Sequence, residues 1–112
     1  MVDLYEVLNS DRRVVTGNLF ISQGDLDTSL KMFESALDAD PKNISALCNG
    51  AFVLLKMKNF WRADGWIKTA LELQPEHPHA LGIAALVAQE TPGGDFAAAQ
   101  AFFEQSLAND PN

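Results

Sequence analysis

The chain has 112 residues, enough for one domain with a packed core, and 47% of them are hydrophobic. It contains no run of about eighteen apolar residues, the length that a membrane span needs, and its start lacks the pattern of a secretory signal. A net charge of −7 argues against nucleic acid as a partner, because binding to a phosphate backbone relies on Lys and Arg.

Charge is unevenly spread along the sequence. Residues 1–41 hold three basic and eight acidic side chains, residues 42–68 hold five and one, and residues 69–112 hold none and six. Solvated helix faces explain this pattern; the alternative is a basic middle that steers an acidic ligand or matches a neighbouring copy. The single cysteine, Cys48, cannot form an internal disulfide, which fits a reducing compartment. We therefore expect a cytoplasmic protein.

Two helices are predicted before the first turn. Leu4, Val7 and Leu8 have helical spacing and predict a short N-terminal helix in residues 1–9, docked as a cap or continuing from a longer protein. The first helix of the main array is expected over residues 11–22. Ser10 or Asp11 is positioned to cap its free amides.

Five further helices follow, each recognised by an apolar stripe and by capping or breaking residues at its ends. They are expected at 26–39, 44–57, 60–73, 78–90 and 95–109. Trp66 aligns with Met32 and Phe102, and we expect it in the core between repeats and not in a stacking site for a ligand. In the last helix, Phe96, Phe103 and Leu107 should pack inward. Phe102 should face the next repeat, which the sequence does not contain.

The chain repeats itself at an offset of 34 residues. Gly17 aligns with Ala51, and similar residues coincide through both segments up to Pro41 and Pro75. A third copy keeps the offset of 34 in its first half and needs 36 in its second half. The two extra residues fall in residues 91–94, where a loop tolerates insertion. A period near 34 is typical of solenoids built from helix-turn-helix units.

The sequence resembles the tetratricopeptide repeat family. The positions that carry the resemblance have counterparts in all three copies; in the first copy they are Gly17, Phe20, Gly24-Asp25, Ser29, Phe33, Ala36-Leu37 and Asp40-Pro41. The family's usual tryptophan is absent, and Arg13, Leu47 and Leu81 stand in its place. The resemblance implies an all-α fold, an α-solenoid of three helix-turn-helix repeats in a right-handed superhelix. We expect a single domain over 1–112, with the N-terminal cap helix at 1–9 and repeats at 10–43, 44–77 and 78–112.

No catalytic constellation is present. The sequence has no glycine-rich phosphate loop, no helical zinc motif and no nucleophile elbow, so we expect no enzyme activity, cofactor or metal. His77 and His79 flank Pro78, and a linker between repeats is favoured over a metal site. Cys48 is interpreted as a small apolar residue of the groove or core, the alternative being a reactive thiol.

The resemblance implies a binding groove, because the first helices of successive repeats in this family line a concave surface that holds peptides. By register, the groove should be lined by Val14, Asn18, Ile21, Cys48, Asn49, Phe52, Leu55, Lys56 and Leu86. This mainly apolar surface suits a hydrophobic or amphipathic segment, either from a partner or from the protein itself. Some family members clamp the C-terminal carboxylate of heat-shock chaperones with cations and asparagines. Asn18 and Asn49 match the asparagines, but Val14, His79 and Ile83 replace the cations, so this ligand is rejected.

The expected function is that of a non-enzymatic adaptor that binds a protein segment and scaffolds a complex. One alternative is a self-assembling scaffold, a dimer or filament formed through the open C-terminal end at Phe102. Two others are a small chaperone for a secreted subunit and the regulatory domain of a larger enzyme. The partner is expected to be a protein or peptide in each case.

Overall fold

The computed structural model describes residues 4–109, except for the side chains of Phe96 and Asn109. Within that range every element is an α-helix. The helices are α1 (Leu4–Ser22), α2 (Leu26–Ala39), α3 (Ile44–Lys56), α4 (Phe60–Leu73), α5 (Pro78–Glu90) and α6 (Phe96–Asn109). The predicted bounds of α2, α4 and α5 are confirmed, and those of α3 and α6 differ by one residue at one end. None of these helices is long and apolar enough to cross a membrane.

The prediction of a separate N-terminal helix is wrong in the described residues. One continuous helix runs from Leu4 to Ser22. Ser10 does not cap a helix there, because it is fully buried and its hydroxyl donates to the carbonyl of Ala36 at 2.7 Å. With no Gly or Pro between Leu4 and Thr16, nothing interrupts the helix. Residues 1–3 of the predicted cap lie outside the described residues.

The helices form three pairs that stack side by side. Each odd-numbered helix packs on the helix that follows it, and α3 also contacts α1 and α5. Among the described residues, no Cα atom of α2 comes within 8 Å of α4, and none of α4 comes within 8 Å of α6. Across the pairs α2 packs on α3 and α4 packs on α5, and successive first helices lie closer to one another than successive second helices do. The array curves around α1, α3 and α5, and these helices form its inner layer.

Capping and backbone geometry explain why the turns fall where they do. Asp25 and Asn59 accept hydrogen bonds from the amides of Thr28 and Arg62, at 3.1 and 3.4 Å, and so begin α2 and α4. The residue before each cap has a left-handed backbone: Gly24 at φ 79° and Lys58 at φ 63°. Glycine adopts this geometry freely, whereas at Lys58 the Cβ atom makes it sterically unfavourable.

Small side chains let the two helices of each pair approach closely. Ala36, Ala51, Ala63 and Ala70 are completely buried. A Cβ added to Gly17 would lie 2.7 Å from Cε1 of Phe33, closer than any ordinary contact. This close approach of the two helices explains why the repeat keeps the aligned positions small.

A buried polar cluster joins the first pair to the second. The side-chain amide of Asn43, which begins α3, donates to Ser10 at 2.8 Å and to Asp11 at 3.0 Å. Its carbonyl oxygen accepts from the amide of Ala46 at 3.1 Å. Asn43 is 7% exposed, and its bonds to Ser10 and Ala46 are buried, whereas the bond to Asp11 is partly buried. Since a buried polar group is costly unless all its bonds are made, this cluster specifies how α1 and α3 meet.

The last helix differs from its counterparts. Phe103 and Leu107, predicted to pack inward, are 38% and 69% exposed, and that prediction is wrong. The residues that align with Phe103 are Phe33 and Ile67, at 0% and 2%. Phe33 and Ile67 lie in α2 and α4, and each of these helices is followed by another helix pair. Within residues 4–109, no helix follows α6. The predicted inward packing of Phe96 falls on a side chain outside the described set.

Phe102 was predicted to face the missing next repeat, and this prediction is also wrong. Phe102 is half-buried and packs against the core. It lines a cleft with Ala84 of α5 and Phe60 of α4, which belong to its own pair and to the preceding one. The exposed apolar surface at the C-terminal end is therefore formed by Phe103 and Leu107.

Candidate binding surfaces

The middle helix of the inner layer has one face open to solvent. Ser45, Asn49, Phe52 and Lys56 recur at steps of four, three and four residues and form one stripe along α3. Ser45 and Lys56 are exposed, and Asn49 and Phe52 are half-buried. The rest of α3 beyond its first residue is buried or packed against neighbouring helices. Since α3 lies between α1 and α5, this stripe runs along the centre of the inner face.

A hydrogen bond connects this stripe to α1. The side-chain amide of Asn49 donates to the side-chain oxygen of Asn18 at 3.0 Å. The two asparagines predicted for the groove are thus brought together. Among the described residues, the side-chain amide group of Asn18 and the side-chain oxygen of Asn49 have no further hydrogen-bond partner within the chain. An amide donor and an amide acceptor side by side match the two polar groups of a peptide bond.

The other end of the stripe combines an aromatic ring with a cation. The ammonium nitrogen of Lys56 lies 5.3 Å from the centroid of the Phe52 ring. Lys56 also faces Glu90 of α5 across a shallow hollow of about 360 Å³. Leu86 on α5 and Ile21 on α1 are half-buried beside the core and flank the stripe. Together these groups offer apolar contact area with one positive charge at its edge.

Three predicted groove residues do not line the surface. Val14, Cys48 and Leu55 are 6%, 1% and 3% exposed and belong to the hydrophobic core. The inner helices pack so closely that side chains at these positions lie between them, so the prediction that they contact a ligand is wrong. Burial raises the pKa of the Cys48 thiol from 9.0 to about 12. Cys48 is therefore a core residue, protonated and unreactive at neutral pH.

A second concave surface lies on the outer side, between α4 and α6. This cleft has a volume of about 510 Å³. Its apolar lining is formed by Phe60, Trp61, Ile67, Leu71, Ala84, Val87, Pro92 and Phe102. Trp61 is 90% exposed, and an ion pair between Asp64 and Lys68, 2.8 Å long, lies on the same helix. The hydrogen bond to Asp64 raises the pKa of Lys68.

The sequence analysis did not identify this cleft. Two signals pointed to it: the Phe60-Trp61 pair at the start of α4, and the two-residue insertion in the loop before α6. The loop contributes Thr91, Pro92 and Gly94 to the cleft. An aromatic side chain left 90% exposed is unusual for a residue of that size, and it indicates an unfilled contact surface.

Trp66 has a structural role. A Cβ added to Gly50 of α3 would lie 2.0 Å from Cζ3 of the indole, so the ring rests directly on that glycine. The guanidinium of Arg62 lies 5.5 Å from the ring centroid. Trp66 is half-buried and packs against the hydrophobic core, but its contact with Gly50 lies within one helix pair, whereas the prediction placed it between repeats.

The histidine pair belongs to the linker between repeats. Nδ1 of His77 accepts a hydrogen bond from the amide of Ala80 at 3.2 Å and so caps α5. The pKa of His79 is lowered, first by burial and then by the neighbouring His77. Among the described residues, no group of three His, Cys, Asp or Glu side chains has the arrangement of a metal site.

A sequence model of the family described as "Tetratricopeptide repeat" matches residues 20–89. Over 75 residues the chain is 32% identical to the RNA polymerase-associated protein CTR9 of Caenorhabditis elegans. That alignment covers 64% of this chain and 6% of CTR9, so the chain spans a small fraction of the curated relative it matches.

Solved structures show the same arrangement of helices. The first repeat domain of Spaghetti (RPAP3), bound to the HSP90 peptide SRMEEVD, superposes with a TM-score of 0.86 at 22% identity, over 95% of this chain and 82% of that one. The repeat domain of Arabidopsis OM64 superposes with a TM-score of 0.85 at 18% identity, over 96% and 87%. At these identities the similarity establishes the fold, a solenoid of helical repeats.

Proposed function

This chain belongs to the tetratricopeptide repeat family, and on that basis we propose that it is a protein-interaction module whose inner face binds a peptide segment and scaffolds a complex. The fold is generally a non-enzymatic interaction module. The observation that carries the proposal is the open stripe on α3, where Phe52 and Lys56 lie beside the Asn18–Asn49 pair. As part of the same proposal, the repeats span residues 10–43, 44–77 and 78–112, and the protein acts in the cytoplasm.

The chemistry of the stripe specifies the ligand. Phe52, Ile21 and Leu86 offer half-buried apolar area to one or two large side chains of the ligand. The asparagine pair is placed to hold one peptide bond of an extended segment, and Lys56 favours an acidic group at one end. Burying each large side chain contributes roughly 1.5–3 kcal/mol. Once the cost of ordering the ligand and the side chains it contacts is subtracted, we expect a dissociation constant of about 1 μM.

An acidic C-terminal peptide is a poor match, although a structural relative is bound to one. The peptide SRMEEVD ends in a carboxylate next to an acidic side chain. The positions predicted to need cations here hold Val14, His79 and Ile83. Val14 and Ile83 are 6% and 7% exposed, and burial and the neighbouring His77 lower the pKa of His79, which disfavours its charged form. A carboxylate there would lose hydration without gaining a charged partner.

The proposal is tested with short random peptides displayed on phage and selected against the wild-type protein. Phe52→Lys should abolish binding of the selected peptides, because it places a second positive charge beside Lys56 and removes the ring. The matched control is Trp61→Lys, the same change at an aromatic residue in the outer cleft. Circular dichroism of both variants should match that of the wild type.

Two results would count against the inner face. Peptides that survive Phe52→Lys but are lost with Trp61→Lys would place binding in the outer cleft. A loss of helicity in Phe52→Lys would show that Phe52 holds the fold together and does not serve as a contact residue.

A further inference from the structure

The outer gap between α4 and α6 lacks the ion pair that spans the gap before it. Between α2 and α4, the guanidinium of Arg62 contacts the carboxylate of Glu34 at 2.8 Å. The repeat register places Lys68 and Ala98 at the corresponding positions of the next gap, where no such pair can form. Lys68 is paired with Asp64 on its own helix instead. The cleft of about 510 Å³ therefore lies where the repeat pattern loses its bridge.

The indole of Trp61 lies at the rim of this cleft and is a second departure from the repeat pattern. Its counterparts are Asp27 in α2 and Ala97 in α6, and both are exposed. The fold therefore does not require a large apolar side chain at this position, yet Trp61 is present and 90% exposed. Tryptophan is among the residues that contribute most to protein interfaces. Both departures occur at the same gap, which indicates a contact surface there.

The groups that line the cleft define the chemistry of its occupant. The floor is apolar, and the ammonium of Lys68 is already paired with the carboxylate of Asp64 at 2.8 Å. Asp95 also lines the cleft and is exposed, and its carboxylate caps α6 by accepting from the amide of Ala98 at 3.1 Å. The charge left over around the cleft is therefore negative. A large apolar side chain with a positive charge close to it is the complementary occupant.

The start of α4 in a second copy has this chemistry. Trp61 supplies the large apolar side chain, and Lys58, three residues earlier, is exposed. Cleft and indole lie side by side on the outer face of the molecule. A two-fold axis that lies in the interface, midway between them, carries each indole into the cleft of the other copy. Such a contact is isologous, so it closes at two copies.

We propose that the outer cleft is a dimerisation site and that its occupant is the indole of Trp61 from a second copy. In this dimer each indole leaves water for the apolar floor of the opposite cleft. Lys58 of one copy approaches Asp95 of the other, which pairs opposite charges at the rim. The inner face of each copy stays open, so the dimer forms independently of peptide binding on the stripe of α3.

Sedimentation of the full chain over a range of concentrations tests the dimer, with circular dichroism to confirm that each variant folds. The wild type should dimerise. Trp61→Ala should weaken association at least about 30-fold, because each dimer loses two buried indoles. Asp95→Asn keeps the cap of α6 but removes the charge, and it should weaken association about two- to fivefold. The control Leu19→Ala, at an exposed side chain of α1, should leave association unchanged.

A variant that closes the cleft tests the other half of the contact. Lys68→Glu with Ala98→Arg rebuilds, in the second outer gap, the pair that Glu34 and Arg62 form in the first. The new side chains should bridge α4 and α6 and exclude the indole, so this variant should be monomeric although it keeps Trp61. Mixed with Trp61→Ala, it should recover part of the association. One intact contact then forms, between the indole of the closed variant and the open cleft of Trp61→Ala.

Tryptophan fluorescence reports the surroundings of the indole independently. The sequence contains two tryptophans, and Trp66 already rests on Gly50 within its own chain. Emission of the wild type should therefore shift to shorter wavelength as the concentration rises and Trp61 becomes buried. Trp61→Phe, which leaves Trp66 as the reporter, should show no shift.

Three results would each overturn the proposal. A wild-type chain that stays monomeric at all concentrations would show that a second copy does not occupy the cleft. A dimer that survives Trp61→Ala, or one that is lost in Leu19→Ala, would place the interface elsewhere. A mixture of the closed variant and Trp61→Ala that fails to associate, with both variants folded, would exclude the exchange of indoles.

Discussion

Replacing Gly50 by Ala tests how closely α3 and α4 pack. Alanine in the middle of a helix is favoured over glycine by about 1 kcal/mol, so the local effect is stabilising. The new methyl group would, however, lie 2.0 Å from Cζ3 and 2.5 Å from Cε3 of Trp66, where ordinary contacts begin near 3.4 Å. The indole must move by more than about 1 Å and give up packing against the core. Overpacking of this kind costs about 1–3 kcal/mol, and the severity of the clash places it at the upper end. We expect a net loss of about 1–2 kcal/mol.

Gly65→Ala is the matched control. Gly65 also lies inside a helix, but a Cβ added there meets nothing within 4 Å. Only the helix preference then changes, and we expect a gain of about 0.5–1 kcal/mol. The two variants share the same chemical change, so the difference between them, about 1.5–3 kcal/mol, measures the contact with Trp66.

The assay is urea unfolding followed by circular dichroism and by tryptophan fluorescence. In the double variant Gly50→Ala with Trp66→Leu, a smaller aliphatic side chain replaces the indole. The double variant should recover part of the lost unfolding free energy, since the methyl group then has room. If Gly50→Ala stabilises the protein as much as Gly65→Ala does, the indole does not rest on Gly50, and the packing argument fails.

Three further predictions address the core. Ala63→Leu, at a completely buried position, should lower the unfolding free energy by about 1–3 kcal/mol through overpacking, and unchanged melting would contradict the assigned repeat register. Asn43→Asp keeps the cap of α3 but loses the side-chain donor to Ser10 and Asp11, so the free energy of unfolding at neutral pH should fall by about 2 kcal/mol. The control Asn59→Asp, at an exposed cap, should change the free energy of unfolding little. The raised pKa of Cys48 stabilises the fold below the unfolded value near 9, and this contribution is lost as pH rises toward 12. Wild type should therefore lose stability relative to Cys48→Ala across that range, and equal slopes would show that the thiol is not buried.

The sequence predicted the helices well because their signals are local. Apolar stripes define α2 and α4, and caps such as Asp25 and Asn59 begin them. Ser10 was misread because a serine before a helical stretch has the appearance of a cap. Its actual partner, the carbonyl of Ala36, is 26 residues away and becomes visible only when the helices are packed.

The binding surface was predicted less well, because register alone does not distinguish a residue on a face from one between two helices. Phe52 and Cys48 lie one turn apart on α3, yet one is half-buried and the other is 1% exposed. The assignment of Phe102 and Phe103 failed for a related reason. Their exposure depends on which neighbours pack on α6, and a repeat alignment assumes that every copy has the same neighbours.

The layering of the helices has a mechanical consequence. On the inner side α3 touches both α1 and α5, whereas on the outer side the backbones of successive second helices stay apart. Among the described residues the contacts across that outer gap include the exposed Glu34–Arg62 ion pair, 2.8 Å long, and such a pair breaks and reforms easily in water. Bending that opens or closes the outer gaps disturbs little packing, while sliding one pair past the next breaks the buried bonds of Asn43. We therefore expect the array of helix pairs to change its curvature easily and to resist sliding of one pair past the next.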